Sequence, residues 1–246
     1  MKPTLRGQLA KAMRRAEAFV ESPFRKLVIV NGTFRSGTNL LKMMLQEYYN
    51  VSVVFSKWWW KHGLPPTHTI GREPLLPPAP IVVVAKHPTR LNPSLYRFWQ
   101  RRRPELDRGE TLSEFIRREF IVYDQSREVL SPKYVFPTPT DYWNQYHYAY
   151  LNWKGVAERI CFLQYERLVQ APQEALEGVA DAIRLTRRNA ARITLPERRL
   201  ATSSDRNRAA ALETEAFTTA PELAPEDARF VTRRMRADLA ARLGYA

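Results

Sequence analysis

The sequence lacks several features that define whole classes of proteins. Cys161 is the only cysteine, so no disulfide can form within the chain. It lies in an apolar strand pattern, and we expect it to pack in the core and not to act as a catalytic thiol. No apolar run approaches the ~20 residues that a membrane-spanning helix needs. Residues 1–20 mix basic and apolar positions without a continuous apolar stretch, which argues against a secretory signal and predicts a cytoplasmic protein.

Acidic residues are scarce relative to basic ones. The chain has 39 Lys and Arg against 25 Asp and Glu, a formal net charge of +14. Such an excess attracts polyanions, and a non-catalytic nucleic-acid-binding protein is one interpretation of it. However, the arginine pairs lie on separate segments without an aromatic ladder between them. We therefore expect no specific nucleic-acid partner, and we assign the charge to solvated surface and to anionic small molecules.

Length and composition predict one domain with a layered fold. With 246 residues, 44% of them hydrophobic, and only nine glycines, the chain can build one sizeable core and is short for two. Residues 1–246 are therefore interpreted as a single domain. Strand patterns alternate with helical patterns, which predicts an α/β, three-layer, P-loop-like fold with a central parallel sheet flanked by helices.

The predicted elements follow one another regularly along the chain. Strands are expected at 27–30, 51–55, 81–85 and 160–164. Helices are expected at 37–49, 93–102, 112–130, 141–157 and 225–242, and a further helix through Leu176, Val179 and Ile183 is expected after the strand at 160–164. Thr111 and Glu114 form a capping box at the start of the third of these helices. Two further segments are a basic amphipathic helix at 1–24, expected to pack on the domain in preference to a membrane surface, and an irregular Arg-rich stretch at 186–210.

The loop at 31–39 is the most informative motif. It follows an apolar run and reads Asn-Gly-Thr-Phe-Arg-Ser-Gly-Thr-Asn. Gly32 and Gly37 allow the backbone to curl around an anion, and the amides of the following helical turn would point at that anion. The glycine spacing is that of a Walker A loop, but Thr38 stands where the lysine should be. An ordinary ATP or GTP site is therefore disfavoured.

A second group of polar residues follows the apolar strand at 81–85. Lys86, His87 and Pro88 come directly after it, and Ser94 lies eight residues beyond the lysine. A lysine and a hydroxyl that converge where a strand ends and a helix begins make a suitable phosphate pocket. Two anion sites after two strands suit a nucleotide with phosphates at both ends of its ribose.

These motifs resemble those of the PAPS-dependent sulfotransferases, of the soluble bacterial type. That family's 5′-phosphosulfate loop runs Lys or Arg, Ser, Gly, Thr, Thr or Asn, and residues 35–39 read Arg-Ser-Gly-Thr-Asn. Its 3′-phosphate site has a basic residue, usually Arg, then Asn or Asp, then Pro, with Ser eight positions on; here Lys86 and His87 fill the first two places. The sequences Tyr-Glu-Arg-Leu at 165–168 and Leu-Gly-Tyr at 243–245 are also similar to family patterns.

The resemblance implies an O-sulfotransferase. Such an enzyme transfers the sulfuryl group of 3′-phosphoadenosine 5′-phosphosulfate (PAPS) to a hydroxyl of a carbohydrate, glycolipid or phenolic acceptor. Positioning and fixed cations can suffice for this chemistry, so no metal is required. Arg35 is the expected cation on the leaving oxygen. The expected donor-binding residues are Arg35, Ser36, Gly37, Thr38, Asn39, Lys86 and Ser94.

His62 is the predicted general base, and Lys61 beside it is placed to orient the sulfuryl oxygens. The resembling cytosolic enzymes have a histidine after the second strand, and a neutral imidazole with an ordinary pKa of about 6.5 can accept a hydroxyl proton. His68 in the same loop and Glu73 remain open as alternatives. At least one of the tryptophans at 58–60 is expected to line the acceptor pocket or contact the adenine.

A P-loop nucleotide kinase or other phosphotransferase is the main alternative. The missing loop lysine and the absence of a convincing Walker B aspartate count against it. Binding preference separates the three classes of protein. A sulfotransferase should prefer a 3′-phosphorylated nucleotide without Mg²⁺, a kinase should prefer Mg-ATP, and a nucleic-acid binder should show steep salt dependence.

Overall fold

The structure, a computed structural model, describes most of the chain. The described residues are 25–55, 60–65, 79–102, 109–124, 131–153, 159–196 and 222–245. Several predictions fall outside them, namely those for the helix at 1–24, Trp58, Trp59, His68, Glu73 and residues 197–210.

A parallel sheet of four strands forms the centre of the molecule. The described strands are β1 Lys26–Gly32, β2 Val51–Val54, β3 Ile81–Ala85, β4 Phe120–Asp124, β5 Ser131–Phe136 and β6 Ile160–Gln164. The central sheet has the order β2-β1-β3-β6, and all its neighbouring strands pair in parallel. The carboxyl ends of these strands therefore meet at one edge of the sheet.

Helices cover both faces of this sheet. They are α1 Thr38–Tyr48, α2 Pro88–Arg102, α3 Leu112–Phe115, α4 Pro139–Leu151, α5 Tyr165–Gln170, α6 Pro172–Ala182, α7 Pro225–Arg234 and α8 Ala237–Arg242. On one face, Val83 shares a buried cluster with Leu91 of α2 and Trp143 of α4. On the other, Val84 shares a cluster with Leu41 of α1. The predicted α/β fold with a central parallel sheet between helical layers is confirmed.

The predicted helix at 112–130 is wrong beyond its first turn. The capping box is present, because the hydroxyl of Thr111 accepts from the amide of Glu114 and the Glu114 carboxylate accepts from the amide of Thr111. However, α3 ends at Phe115, and β4 and β5 then form an antiparallel pair. A capping box specifies where a helix begins and not how long it is. The aromatic and β-branched residues at 120–123 favour a strand.

Three other helices differ from their predicted bounds. The helix expected at 141–157 is α4, which begins at Pro139 and ends at Leu151. The helix expected from residue 93 begins at Pro88, and Pro93 lies inside it. Either proline can occupy the first helical position, where the missing N–H is not needed. The helix expected at 225–242 is divided into α7 and α8. The side chain of Asn144 donates to the carbonyl of Arg234 at 2.9 Å and accepts from the amide of Arg236 at 3.0 Å, which stabilises the break.

The aromatic residues of α4 belong to the core, as their helical spacing predicts. Trp143 and three tyrosines of this helix are buried, whereas Tyr148 is 43% exposed. Cys161 is half-buried and packs against the second cluster, and burial raises the pKa of its thiol. Within the described residues, no helix has the length and apolarity to cross a bilayer.

Candidate anion-binding and active site

The loop after β1 is shaped by its own hydrogen bonds. The amide and the hydroxyl of Ser36 both donate to the carbonyl of Thr33, at 3.2 and 2.8 Å. Gly37, with φ of 97°, precedes α1, and no side chain of the described residues caps that helix. An anion at this turn would meet the amides that the helix leaves without intrahelical partners. The structure thus gives Ser36 a loop-shaping contact, and its contact with phosphate stays a prediction.

Lys61 brings a cation to this loop from the segment after β2. Its Nζ lies 3.3 Å from Asn39 Oδ1, 3.5 Å from Thr38 Oγ1 and 3.6 Å from the centre of the Phe55 ring. Burial, and after it the charge of Lys42, lowers the pKa of Lys61 to about 8. An ammonium group therefore lies beside Thr38, although the lysine that carries it comes 23 residues later in the chain.

His62 is oriented with one ring nitrogen towards the loop. Its Nδ1 lies 2.7 Å from the carbonyl oxygen of Gly32. Since a carbonyl oxygen only accepts, Nδ1 carries the proton and Nε2 keeps a lone pair. The ring stacks on Phe34 with centroids 4.4 Å apart. Burial, and then the charge of Lys61, lowers the pKa of His62 to about 3, so the imidazole is neutral at pH 7.

Hydrogen bonds from β1 and α4 fix the backbone that carries these two residues. The amide of Gly32 donates to the carbonyl of Lys61 at 3.2 Å. The hydroxyls of Tyr146 and Tyr142 donate to the carbonyls of Lys61 and His62, each at 2.7 Å. The spacing of the tyrosines predicted burial. It could not reveal that their hydroxyls also donate to the backbone of Lys61 and His62, because these partners are distant in sequence.

Arg35 extends from the same loop towards α2. Its φ of 61° is uncommon for a residue with a side chain. Its guanidinium carbon lies 5.4 Å from the centre of the Phe98 ring. Phe98 and His62 both pack against Phe34, with centroid distances of 6.3 and 4.4 Å. The three predicted catalytic residues are therefore brought together around one loop.

Lys86 and Ser94, the second predicted group, are in direct contact. Lys86 Nζ donates to Ser94 Oγ at 2.9 Å, and Ser94 Oγ donates to the carbonyl of Arg90 at 2.9 Å. The side chain of Lys86 is buried, and its Nζ lies 4.5 Å from the centre of the Tyr165 ring. The indole Nε1 of Trp143 donates to the carbonyl of Lys86 at 2.9 Å. The predicted convergence of these two residues is confirmed.

His87 caps the N-terminus of α2. Its Nδ1 accepts from the amide of Thr89 at 3.3 Å and lies 2.7 Å from Thr89 Oγ1. This is the bond that an Asn or Asp side chain makes at an N-cap. It explains physically how His87 can stand where the resembling family has Asn or Asp. Burial is the main cause that lowers the pKa of His87, which keeps Nδ1 able to accept.

Tyr165 joins the two groups and was not among the predicted site residues. A Cβ added to Gly37 would lie 2.4 Å from an atom of the Tyr165 ring, so the ring packs directly on the glycine. The same ring contacts Lys86. The position of Tyr165 directly after the predicted strand at 160–164 was the one signal in the sequence, but only the structure shows which strand lies beside that one. Tyr165 directly follows β6, the strand next to β3, and residues at the carboxyl ends of adjacent parallel strands converge.

Trp60 is the described member of the tryptophan run at 58–60. Its ring lies 5.1 Å from that of Phe34 and 5.5 Å from that of His62, centroid to centroid. Lys133 of β5 places its Nζ 5.7 Å from the Trp60 ring. The antiparallel pair of β4 and β5 therefore reaches the segment that carries the predicted base. That a tryptophan lines an acceptor pocket stays a prediction.

A cleft of about 660 Å³ opens at the opposite, amino end of the sheet. Its lining includes Lys26, Arg159, Cys161 and Arg184. Lys26 Nζ donates to the carbonyls of Ile183 and Arg184, at 2.5 and 3.4 Å, and so stabilises the end of α6. Ligands of open α/β sheets bind outside the carboxyl ends of the strands. The predicted groups converge at that other edge.

No model of a known protein family matches the sequence, and no curated protein matches it.

Proposed function

We propose that this protein is a PAPS-dependent O-sulfotransferase. The observation that carries the proposal is the pairing of two lysine-bearing groups at the carboxyl ends of adjacent strands. Lys61 lies at the N-terminus of α1, and Lys86 with Ser94 lies at the start of α2. Tyr165 contacts both groups. A nucleotide with phosphates on its 5′ and 3′ sides matches two such groups, whereas an ATP-type kinase needs only the first.

In this proposal the first group binds the 5′-phosphate and the second binds the 3′-phosphate. The amides at the start of α1 hold the 5′-phosphate, with Thr38 and Asn39 as its polar neighbours. The predicted loop residues Ser36 and Gly37 give the turn its shape. The second group acts through side chains. The buried ammonium of Lys86 can donate to a phosphate oxygen, and the Ser94 hydroxyl can do so once its proton turns away from the carbonyl of Arg90.

His62 acts as the general base. Its Nε2 accepts the proton of the acceptor hydroxyl, the acceptor oxygen attacks sulfur, and the bond between sulfur and the 5′-phosphate oxygen breaks. Lys61 and Arg35 stabilise the negative charge on the transferred group and the leaving oxygen. A pKa of about 3 makes free His62 a weak base. Anionic donor bound beside it would raise that pKa, so the base gains strength when the donor is present.

The acceptor is a hydroxyl-bearing small molecule or glycan. The rings of Trp60 and Phe98 both lie near Phe34, which stacks on the imidazole of the proposed base. Such aromatic surfaces suit a flat sugar or phenolic ring. We also propose that the enzyme works in the cytoplasm.

The donor assignment is tested by ligand-dependent thermal stability. PAP, the product that keeps both phosphates, should raise Tm, whereas AMP and Mg-ATP should change it little, since only PAP engages both groups. Equal stabilisation by AMP would remove the 3′-phosphate assignment, and a preference for Mg-ATP would favour a kinase. Mass spectrometry of reactions with PAPS and a panel of sugars, glycolipids and phenols would then identify the sulfated product.

A further inference from the structure

Tyr245 and Glu166 hold the backbone on either side of Lys86. The Tyr245 hydroxyl lies 2.9 Å from the carbonyl oxygen of Ala85 and 2.8 Å from Glu166 Oε2. Glu166 Oε1 accepts from the amide of His87 at 3.0 Å. The residues before and after Lys86 are therefore tied to each other through one hydroxyl and one carboxylate.

The Tyr245 hydroxyl faces two acceptors. Burial, and then the charge of Glu166, raises the pKa of Tyr245, so the hydroxyl keeps its proton and remains a donor. That one proton serves both the carboxylate and the carbonyl of Ala85. The Tyr245 ring also meets the His87 imidazole edge-on, with centroids 5.2 Å apart. Removing the hydroxyl would deprive both acceptors of their shared donor.

The segment that carries Tyr245 is fixed to the end of β6. Gln164 Nε2 donates to the carbonyls of Leu243 and Gly244, at 2.9 and 2.6 Å. Gly244 has φ of 77°, and a Cβ there would lie 2.9 Å from Gln164 Nε2, so the turn requires glycine. Gln164 is in register with Ala85. The segment therefore sits over the strand ends from which Lys86 extends.

A lysine binds phosphate as a point charge and supplies none of the fork geometry of an arginine. Its placement therefore depends on the backbone that holds it and on the residues that fix that backbone. We propose that Tyr245, acting through Glu166, is a positioning residue that sets Lys86 for the 3′-phosphate. This inference rests on the proposed function. Neither Tyr245 nor Glu166 contacts the phosphate in this scheme.

The charge of Glu166 makes the inference testable. A carboxylate near an anion site opposes phosphate binding by its charge. Glutamine at position 166 would remove that charge but keep an acceptor for the amide of His87 and a hydrogen-bond partner for Tyr245. Alanine would remove the charge and both of these contacts. If Glu166 acts only as a nearby charge, both substitutions should tighten phosphate binding. If Glu166 positions Lys86, the glutamine variant should preserve phosphate binding and the alanine variant should weaken it.

Calorimetric titration of the full chain with PAP and with AMP measures the 3′-phosphate contribution as the ratio of the two Kd values. Tyr245→Phe should raise the Kd for PAP about three- to tenfold and leave that for AMP within about twofold, as expected for one ordinary hydrogen bond. Glu166→Ala should weaken PAP binding at least as much, and Glu166→Gln should preserve or improve it. Glu174→Ala, at an exposed position of α6, controls for loss of one negative charge.

The outcomes separate this inference from the proposed function. If Tyr245→Phe and Glu166→Ala fold and keep the wild-type ratio of the two Kd values, the positioning role is wrong although the donor assignment stands. Equal weakening of PAP binding and AMP binding would also overturn the positioning role, because the contacts of Tyr245 and Glu166 would then support the fold in general and not the 3′-phosphate site. If Tyr245→Phe does not fold, the contrast between glutamine and alanine at position 166 decides. A wild-type protein that binds PAP no more tightly than AMP would overturn both proposals.

Discussion

The two lysine-bearing groups occupy the same edge of the sheet but are built differently. The group after β1 depends on backbone, namely a helix N-terminus that follows Gly37 at φ of 97°. Its lysine, Lys61, comes from a different segment, 23 residues from Thr38. The group after β3 depends on side chains, because Lys86, which directly follows the strand, and Ser94 of α2 meet at a spacing of eight residues.

This difference predicts different consequences of substitution. The first group surrounds the proposed base, since His62 donates to the carbonyl of Gly32 in the same loop. Changes there should mainly alter the rate of the chemical step. The second group lies one strand away, and changes there should mainly alter donor affinity.

The largest effect is expected for His62→Ala. Loss of the base should reduce kcat on the order of 10² to 10⁴ and leave PAP affinity unchanged, because the base acts on the acceptor oxygen. Steady-state sulfuryl transfer and calorimetry measure the two quantities. His62→Asn is the matched control, since its side-chain amide can still donate to the carbonyl of Gly32. It should be as inactive as the alanine variant but more stable. Near-normal turnover would move the role to His68 or Glu73.

The sequence was sufficient for the parts of the fold and site that depend on local pattern. The strand at 81–85 is apolar without interruption, and its bounds agree with β3. The contact between Lys86 and Ser94 was predicted from their spacing, although Ser94 lies inside α2 and not at the helix start where it was expected. Both predictions succeeded because the determining residues are close together in the chain.

The features that sequence reasoning missed depend on distant partners. The break between α7 and α8 is stabilised by Asn144, about 90 residues earlier, and no glycine or proline marks it. Tyr165 contacts Lys86 because β6 lies beside β3, and it reaches Gly37 because β3 in turn lies beside β1. Strand order is not encoded in any local pattern, so residues that it brings together cannot be paired from spacing alone.

A smaller effect is expected for Lys86→Met. The substitution removes a charged donor to the 3′-phosphate, so the Kd for PAP should rise about 10- to 100-fold while that for AMP changes little. Arg35→Ala should show the opposite pattern, with a lower kcat and a smaller change in PAP affinity. Arg233→Met removes one exposed positive charge of α7, away from both groups, as a control. Equal losses of PAP and AMP affinity in Lys86→Met would contradict the assignment of the 5′-phosphate to the first group and the 3′-phosphate to the second.

The pH dependence of kcat/KM for PAPS should sharpen the same comparison. Lys61 acts as a cation, and its pKa is lowered to about 8. As pH rises through that value the side chain loses its charge, so kcat/KM should fall, by about tenfold at a pH one to two units above the pKa. The pKa of His62, about 3, predicts no corresponding loss between about pH 5 and 7. Lys61→Arg should move the alkaline loss to higher pH. An unchanged alkaline limb in that variant would assign the titration to another group.

The smallest effect is expected for His87, which caps α2 and directly follows Lys86 of the second group. His87→Ala should lower the free energy of unfolding by about 1 kcal/mol at pH 7.5, whereas His87→Asn should retain it, because Asn can accept from the Thr89 amide. The pKa of His87 is lowered in the folded state, so the unfolded chain binds more protons as pH falls below about 6.5, and the stabilisation is lost there. Denaturant unfolding at pH 7.5 and 5.5 measures this. His62 and His147 are present in every variant, so their titration affects all of them alike. The informative quantity is the difference in the free energy of unfolding between wild type and His87→Asn, and this difference should be larger at pH 5.5. An Asn variant no more stable than the Ala variant would show that His87 does not act as a cap.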